Sequence, residues 1–398
     1  MTSPSHTAAP PAQIPLFELG FRPFFLGAGL WAALAILLWG AALGHGLQLP
    51  TAFAPATWHA HAMLFGFLGA TLAGFLTTAV PNWTGRSALR GWPLGLLALL
   101  WLAGRAACLT SAEIGPVTAA IVDVGFFVVL PGLVLRDVVA ARNWRNLFVV
   151  AGICGVAAAN LLVHLGPIAG LDTGYGIRLG VGVFALLIVL IGGRIVPAFT
   201  RNWLKQAGDT RLPAMWGRFD SVVALVTVAT VAAWVGGPQA GVTGVLAIAA
   251  GGLNAVRLTR WRGLLARREP LILVLHLGYA WLAAGFLLLG VQTLQPGLIG
   301  TSALHTLTAG AMGTMVLAVM TRASRGHTGR ALTADVPTLL LFAALTLAVA
   351  CRLVAPLLPT LYLPLMGAAS LAWAAAFGGF ALIYGPTLVS LSHAQQSK

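Results

Sequence analysis

Apolar residues run along this chain in long blocks with almost no polar punctuation, and the polar positions gather in short links between them. Each block offers about the 20 apolar residues a helix needs to cross a bilayer. Twelve spans can be placed, near 21–45, 58–80, 92–111, 114–140, 146–165, 176–198, 218–236, 239–258, 270–293, 297–322, 336–356 and 360–390. Hydrocarbon supplies no water to satisfy backbone amides, so such blocks must be helical. The pattern predicts an all-α polytopic membrane protein of about twelve transmembrane helices. A single helical domain over 21–390 would lie between cytoplasmic polar tails at 1–20 and 391–398.

Composition agrees, since no soluble fold of this length hides 59% hydrophobic residues with only 8% charged. The formal net charge of +14 would suggest nucleic acid in a soluble protein, but its distribution points elsewhere. Basic residues occupy alternate links: Arg86 and Arg90; Arg136, Arg142 and Arg145; Arg201, Lys205, Arg211 and Arg218; Arg257 to Arg268; then Arg322, Arg325 and Arg330. The links 46–57, 166–175, 236–240 and 294–298 carry no Lys or Arg. The positive-inside rule places the basic links in the cytoplasm. An even number of spans then leaves both termini there, in an inner membrane, with no nucleic-acid partner. The N-terminal stretch lacks the charged start and short apolar core of a signal peptide. Cys108, Cys154 and Cys351 stand singly, which argues against a disulfide framework and against covalently attached haem.

Three cytoplasmic ends look alike: "TTAVPNWTGR" closes span two, "GGRIVPAFTRNW" span six and "LAVMTRASRGHTGR" span ten. Aligning Val80, Val196 and Val319 sets the copies roughly 116 and 123 residues apart, one per four helices. Basic and aromatic residues recur at any cytoplasmic helix end, but a fixed period favours duplication. The expectation is three pseudo-repeats of four helices. That architecture resembles the large subunit of haem–copper oxidases and nitric oxide reductases, whose second, sixth and tenth helices line cofactor chambers. Fold alone does not set function.

An ionisable side chain in hydrocarbon is costly and marks a functional site by default. Of nine histidines, His6 and His393 fall in the tails, and His45 and His164 at outer helix ends read as interfacial. Depth sorts the other five. His59 and His61 open span two, and His305 enters span ten to about 12 Å at 1.5 Å per residue; these three share the outer leaflet. His276, about 9 Å deep by the same rise, and His327 share the inner leaflet.

Neutral imidazole is the usual axial donor to a b-type haem. His59 and His61 diverge by about 200° on a regular helix and cannot both ligate one metal from it. One can bind haem b while the other donates a hydrogen bond or holds copper. Matched depth favours His61 with His305 as axial ligands, and His59 as the second choice. Arg194, Arg322 and Arg330 offer planar guanidiniums for haem propionates. With His276 and His327 they would build a second haem or metal site at the inner side. Asp123, the one acid well inside a span, suits a proton path or a pairing with Arg105. Spans six and seven hold no histidine, so a three-histidine copper centre of the oxidase type is not expected.

The blocks "WHAHAMLFGF…AGFLTTAVPNWTGR", "GGRIVPAFTRNW" and "LHTLTAGAMGTMVLAVMTRASRGHTGR" resemble the signature stretches of the NnrS family, in order and spacing from "FELGFRPFF" to beyond Arg330. The resemblance implies a bacterial inner-membrane haem protein, with copper also associated, acting in nitric oxide metabolism and protection from nitrosative stress. Ala62 stands where the family commonly has Glu after the second histidine, and Arg325 where leucine is usual. The first departure puts in doubt any role for that carboxylate here.

Two function classes follow. One is a haem-dependent nitric oxide binder or quinol-linked reductase, with its two centres on the order of 15 Å apart across a ~30 Å core. The other is a secondary transporter with a midplane site on broken helices.

Overall fold

The computed structural model describes residues 14–390. His6 and His393 lie outside the described residues, as do 1–13 and 391–398 of the two expected tails. Twelve helices are long and apolar enough to cross a membrane: α1 (Phe21–His45), α2 (Pro55–Thr84), α3 (Trp92–Leu109), α4 (Pro116–Ala140), α5 (Trp144–Ala169), α6 (Thr173–Gln206), α7 (Arg218–Gly236), α8 (Gly241–Thr259), α9 (Pro270–Leu294), α10 (Ser302–His327), α11 (Val336–Leu357) and α12 (Pro359–Val389). No strand occurs among the described residues.

Local chemistry sets the helix ends. Proline stands in the first turn of α2, α3, α4, α9 and α11, where its missing N–H costs nothing. Gly46, Gly85 and Gly170 end α1, α2 and α5 in the left-handed conformation at φ near +70°, the usual glycine termination.

Successive helices pack side by side, and α1 closes the bundle by lying along α12. Buried Arg22 fastens that seam: its Nη1 donates to the carbonyls of Leu388 at 3.1 Å and Ser390 at 2.6 Å. The start of α1 and the end of α12 therefore share one end of the bundle. Hydrogen bonds from Gly91 N to Phe17 O and from Asn143 Nδ2 to Trp83 O tie further links together at this basic end. Ala112 N to Pro50 O and Arg352 Nη2 to Thr301 Oγ1 do so at the opposite end.

Four helices form the centre. The apolar stretches of α2, α6, α9 and α10 are 72, 61, 61 and 67% buried, against 33–44% in the other eight. Three of these central helices are interrupted by π-helical turns, at Ala62–Leu68 in α2, Ile188–Gly192 in α6 and Thr306–Gly313 in α10. Carbonyls freed by such wide turns need donors in hydrocarbon. In α2 the Trp31 indole donates to Ala62 O at 2.9 Å and the Trp101 indole to Gly66 O at 3.0 Å. In α6, Arg257 Nη1 donates to Val189 O at 2.8 Å. The π turns stand at different heights relative to Val80, Val196 and Val319, so they do not repeat at one register.

Candidate haem and metal sites

The π turns of α2 and α10 begin directly after His61 and His305. Both histidines lie at the end of the bundle away from the basic links, where α2 and α10 enter. A cavity of about 430 Å³ opens there between α1, α2, α6, α10, α11 and α12. His59 and His305 line it together, with Trp39, Met63, Trp373 and Arg352 around them.

Each of these groups carries unspent bonding capacity. His305 Nδ1 lies 3.0 Å from Thr301 O, and only a protonated Nδ1 can donate to a carbonyl. The Nε2 lone pair of that tautomer is left free, which is how metal-ligating histidines are commonly held. The His59 ring lies flat on the Trp39 indole, 4.8 Å between centroids and 16° between planes, and its buried Nδ1 has no hydrogen-bond partner. Arg352 spends Nη2 on Thr301 Oγ1 at 2.8 Å, and its buried Nη1 is unpartnered. Two imidazoles, a guanidinium with an open N–H and an aromatic wall fit the needs of a haem: axial nitrogens, a propionate partner and dry walls.

His61 faces elsewhere. Two residues past His59 it points to the other side of α2, into a fully buried polar cluster formed with α3, α4 and α5. Its Nε2 lies 3.1 Å from Asp123 Oδ2. His164 Nε2 reaches the same oxygen at 3.0 Å, and Asn160 Nδ2 donates to it at 2.8 Å. Arg105 forms an ion pair with Asp123 Oδ1. Phe53 covers the cluster, stacked on His61 at 5.1 Å. The thiol of Cys108 completes it: one donor atom each from His61, Cys108, Asp123 and His164 all lie within 4.8 Å of one another. The pairing of His61 with His305 expected from depth is therefore not the one the fold assembles. His164, read as interfacial, is 1% exposed and belongs to this cluster. Of the two roles open to Asp123, pairing with Arg105 is realised.

At the basic end the residues expected to form a second centre are dispersed. His327 and Arg322 line a cavity of about 330 Å³ with Phe21, Asn82, Trp83 and Phe199. His276 stands apart from it, 2.9 Å from Thr200 Oγ1. Arg194 lies over the rings of Phe148 and Trp216, and Arg330 is exposed beyond the end of α10. A narrow apolar cavity of about 100 Å³ between α2, α6 and α10 lies between the two. It shares Leu68 with the outer cavity, and Phe75, Ile195 and Val319 with the inner one.

Sequence reasoning missed Arg352 and Asn160, placed His164 at an interface, and named Arg105 only as a partner for Asp123. A signal for the arginines was present: Arg105, Arg178 and Arg352 sit toward the non-basic ends of their helices, against the alternation of charge. A cation there asks for a buried partner. No curated protein matches the chain. With a family model described as NnrS protein matching residues 15–391, nearly its whole length, the chain belongs to the NnrS family.

Proposed function

We propose that this chain is a haem protein of the bacterial inner membrane that binds nitric oxide, with haem b held between α2 and α10 by His59 and His305. The observation that carries the reading is the pair of imidazoles, each with an uncommitted ring nitrogen, lining one cavity. Its volume of about 430 Å³ lies in the range of cofactor pockets. Arg352 would pair a propionate through its open Nη1. Bound haem would supply an iron that takes up an electron, or nitric oxide in place of one imidazole. The chain's own residues hold the imidazoles: the Thr301 carbonyl fixes the His305 tautomer, and the Trp39 face fixes the plane of His59. Met63, Phe67 and Trp373 keep water out.

The positive-inside rule supports a cytoplasmic side at the basic links; the haem would then lie toward the outer leaflet, with both termini inside. The inner cavity, with Asn82, Arg322 and His327 among aromatic rings, suits the polar head of a quinol as electron donor. The small apolar cavity between the inner and outer ones, lined by Leu72, Phe184 and Met315, suits an uncharged diatomic gas. The secondary-transporter alternative gives no account of the histidines at the mouth of α2 and α10.

A reduced-minus-oxidised absorption spectrum of purified protein tests the reading. His59→Ala and His305→Ala should each abolish the low-spin b-type bands, while His61→Ala keeps them. A colourless wild-type preparation refutes the haem. Adding quinol and nitric oxide separates the two activities: continuous consumption identifies a reductase, and a single stoichiometric spectral shift identifies a binder. Copper, the second expected metal, is not needed for this site.

A further inference from the structure

The cluster on the far side of α2 shares no lining residue with the haem cavity, yet among the described residues it gathers four metal-type donors within 4.8 Å of one another. We infer that His61, His164, Asp123 and Cys108 form a second, separate site for a single tetrahedral d10 transition-metal ion, Zn²⁺ or Cu⁺.

Geometry is the first argument. A tetrahedral ion with bonds of about 2.0–2.1 Å holds its nitrogen and oxygen donors about 3.3 Å apart. Here the two imidazole nitrogens stand 3.1 and 3.0 Å from the same carboxylate oxygen, and the fourth donor, the Cys108 sulfur, lies within 4.8 Å of them all. The donors come from α2, α3, α4 and α5, so no single helix imposes their convergence.

Hydrogen-bond capacity is the second. Asp123 Oδ2 offers two lone pairs, yet three nitrogens crowd it within 2.8–3.1 Å. Asn160 Nδ2 also lies 3.2 Å from His61 Nε2. A cation that takes the lone pairs of His61 and His164 and one of Oδ2 relieves this crowding, and Asn160, through its bond to Oδ2, and Arg105 then serve as outer partners that orient the donors.

Charge is the third. Arg105 and Asp123 cancel. Ligation by Cys108 releases its thiol proton and leaves one negative charge on the donor set. Cu⁺ would make the site neutral, whereas Zn²⁺ would leave one positive charge in hydrocarbon, where net charge is costly. The charge count favours the monovalent ion.

The test uses the full chain in detergent, stripped with chelator and loaded in separate arms with Cu⁺ under reductant, Zn²⁺, or Co²⁺ as a spectroscopic reporter. One ion per chain is expected by elemental analysis. The Co²⁺ form should show the intense visible bands of tetrahedral coordination and a thiolate charge-transfer band. Cys108→Ser should lose the charge-transfer band. His164→Gln should lose the ion, and Asn160→Leu, an outer-partner change, should weaken it ~10–100-fold. Monodisperse elution of each variant, with haem content measured on the same sample, separates loss of the ion from loss of the fold and from failure of the haem reading. A wild-type protein that retains no ion in any arm, or a His164→Gln protein that keeps its full equivalent, would overturn the assignment.

Discussion

Removing the Arg105 guanidinium should destabilise the protein far more than its position near the end of α3 suggests. Arg105 and Asp123 are 1% and 0% exposed, so neither charge can recover water if the other is deleted. Gly104 makes the pairing possible: a Cβ built there would stand 2.6 Å from Asp123 Oδ1, so any larger residue would push α3 away from α4. Breaking a buried pair by removing one partner typically costs about 3–5 kcal/mol. The hydrogen bonds to Oδ2 from Asn160 and His164 remain in Arg105→Met and soften the penalty toward the lower figure. About 3 kcal/mol corresponds to roughly a hundredfold shift in the folding equilibrium. Asp123→Asn alone leaves an unpaired cation and should cost a similar amount. Replacing both should restore most of the loss, since a neutral pair needs no counter-charge. The assay is reversible unfolding in mixed micelles, followed by tryptophan fluorescence on chelator-stripped protein so that no bound ion contributes. A coupling of at least ~2 kcal/mol is expected, well beyond the ~0.5 kcal/mol scatter of independent sites. If Arg105→Met unfolds like the wild type, or the double variant equals the sum of the singles, the ion pair is not what holds Asp123.

Gly66→Ala should disturb the π turn of α2, because the new methyl would collide with the Trp31 indole; overpacking of this kind costs about 1–3 kcal/mol and should appear in the same unfolding assay. Arg352→Gln should lower the haem midpoint potential in a redox titration, because removing a nearby positive charge favours the oxidised iron; an unchanged potential would separate Arg352 from the propionates. Asp335 caps α11 through Thr338 and, with Thr338 and Arg325 bonded to it, its carboxyl is held down at about 2. A depressed folded value means that its stabilisation is complete above the unfolded value near 4 and is lost as pH falls toward about 2; the cap as a whole is worth ~1 kcal/mol, and Asp335→Ala should flatten the acid limb of a stability–pH curve. Reporter domains fused to either terminus should read as cytoplasmic; an external signal from both would reverse the orientation taken from the basic links, and from one alone would contradict the even count of spans.

The twelve spans and the alternation of charge were legible in the chain because both are one-dimensional properties: a bilayer demands length and apolarity, and each link is charged or it is not. The divergence of His59 from His61 was legible too, since helical geometry fixes the angle between two side chains on one helix whatever surrounds it. What depth could not give was rotation. A helix apolar on every face carries no stripe to say which side meets its neighbours, so whether His59 or His61 shares a cavity with His305 waited on the packing of α2 against α1, α4 and α10. The π turns after His61 and His305 alter the register beyond them, and their freed carbonyls are met by Trp31 and Trp101 on other helices. His61, Arg105, Asp123, Asn160 and His164 meet through contacts that span 18 to 99 residues of the chain. Hydropathy places each of them in a membrane segment; only the lateral order and rotation of four helices brings them to one carboxylate. The sequence by itself determined that costly polar groups sit in hydrocarbon and therefore need partners. The tertiary structure decided which partners, because in a uniformly apolar medium close packing and polar satisfaction alone select how the helices turn toward one another.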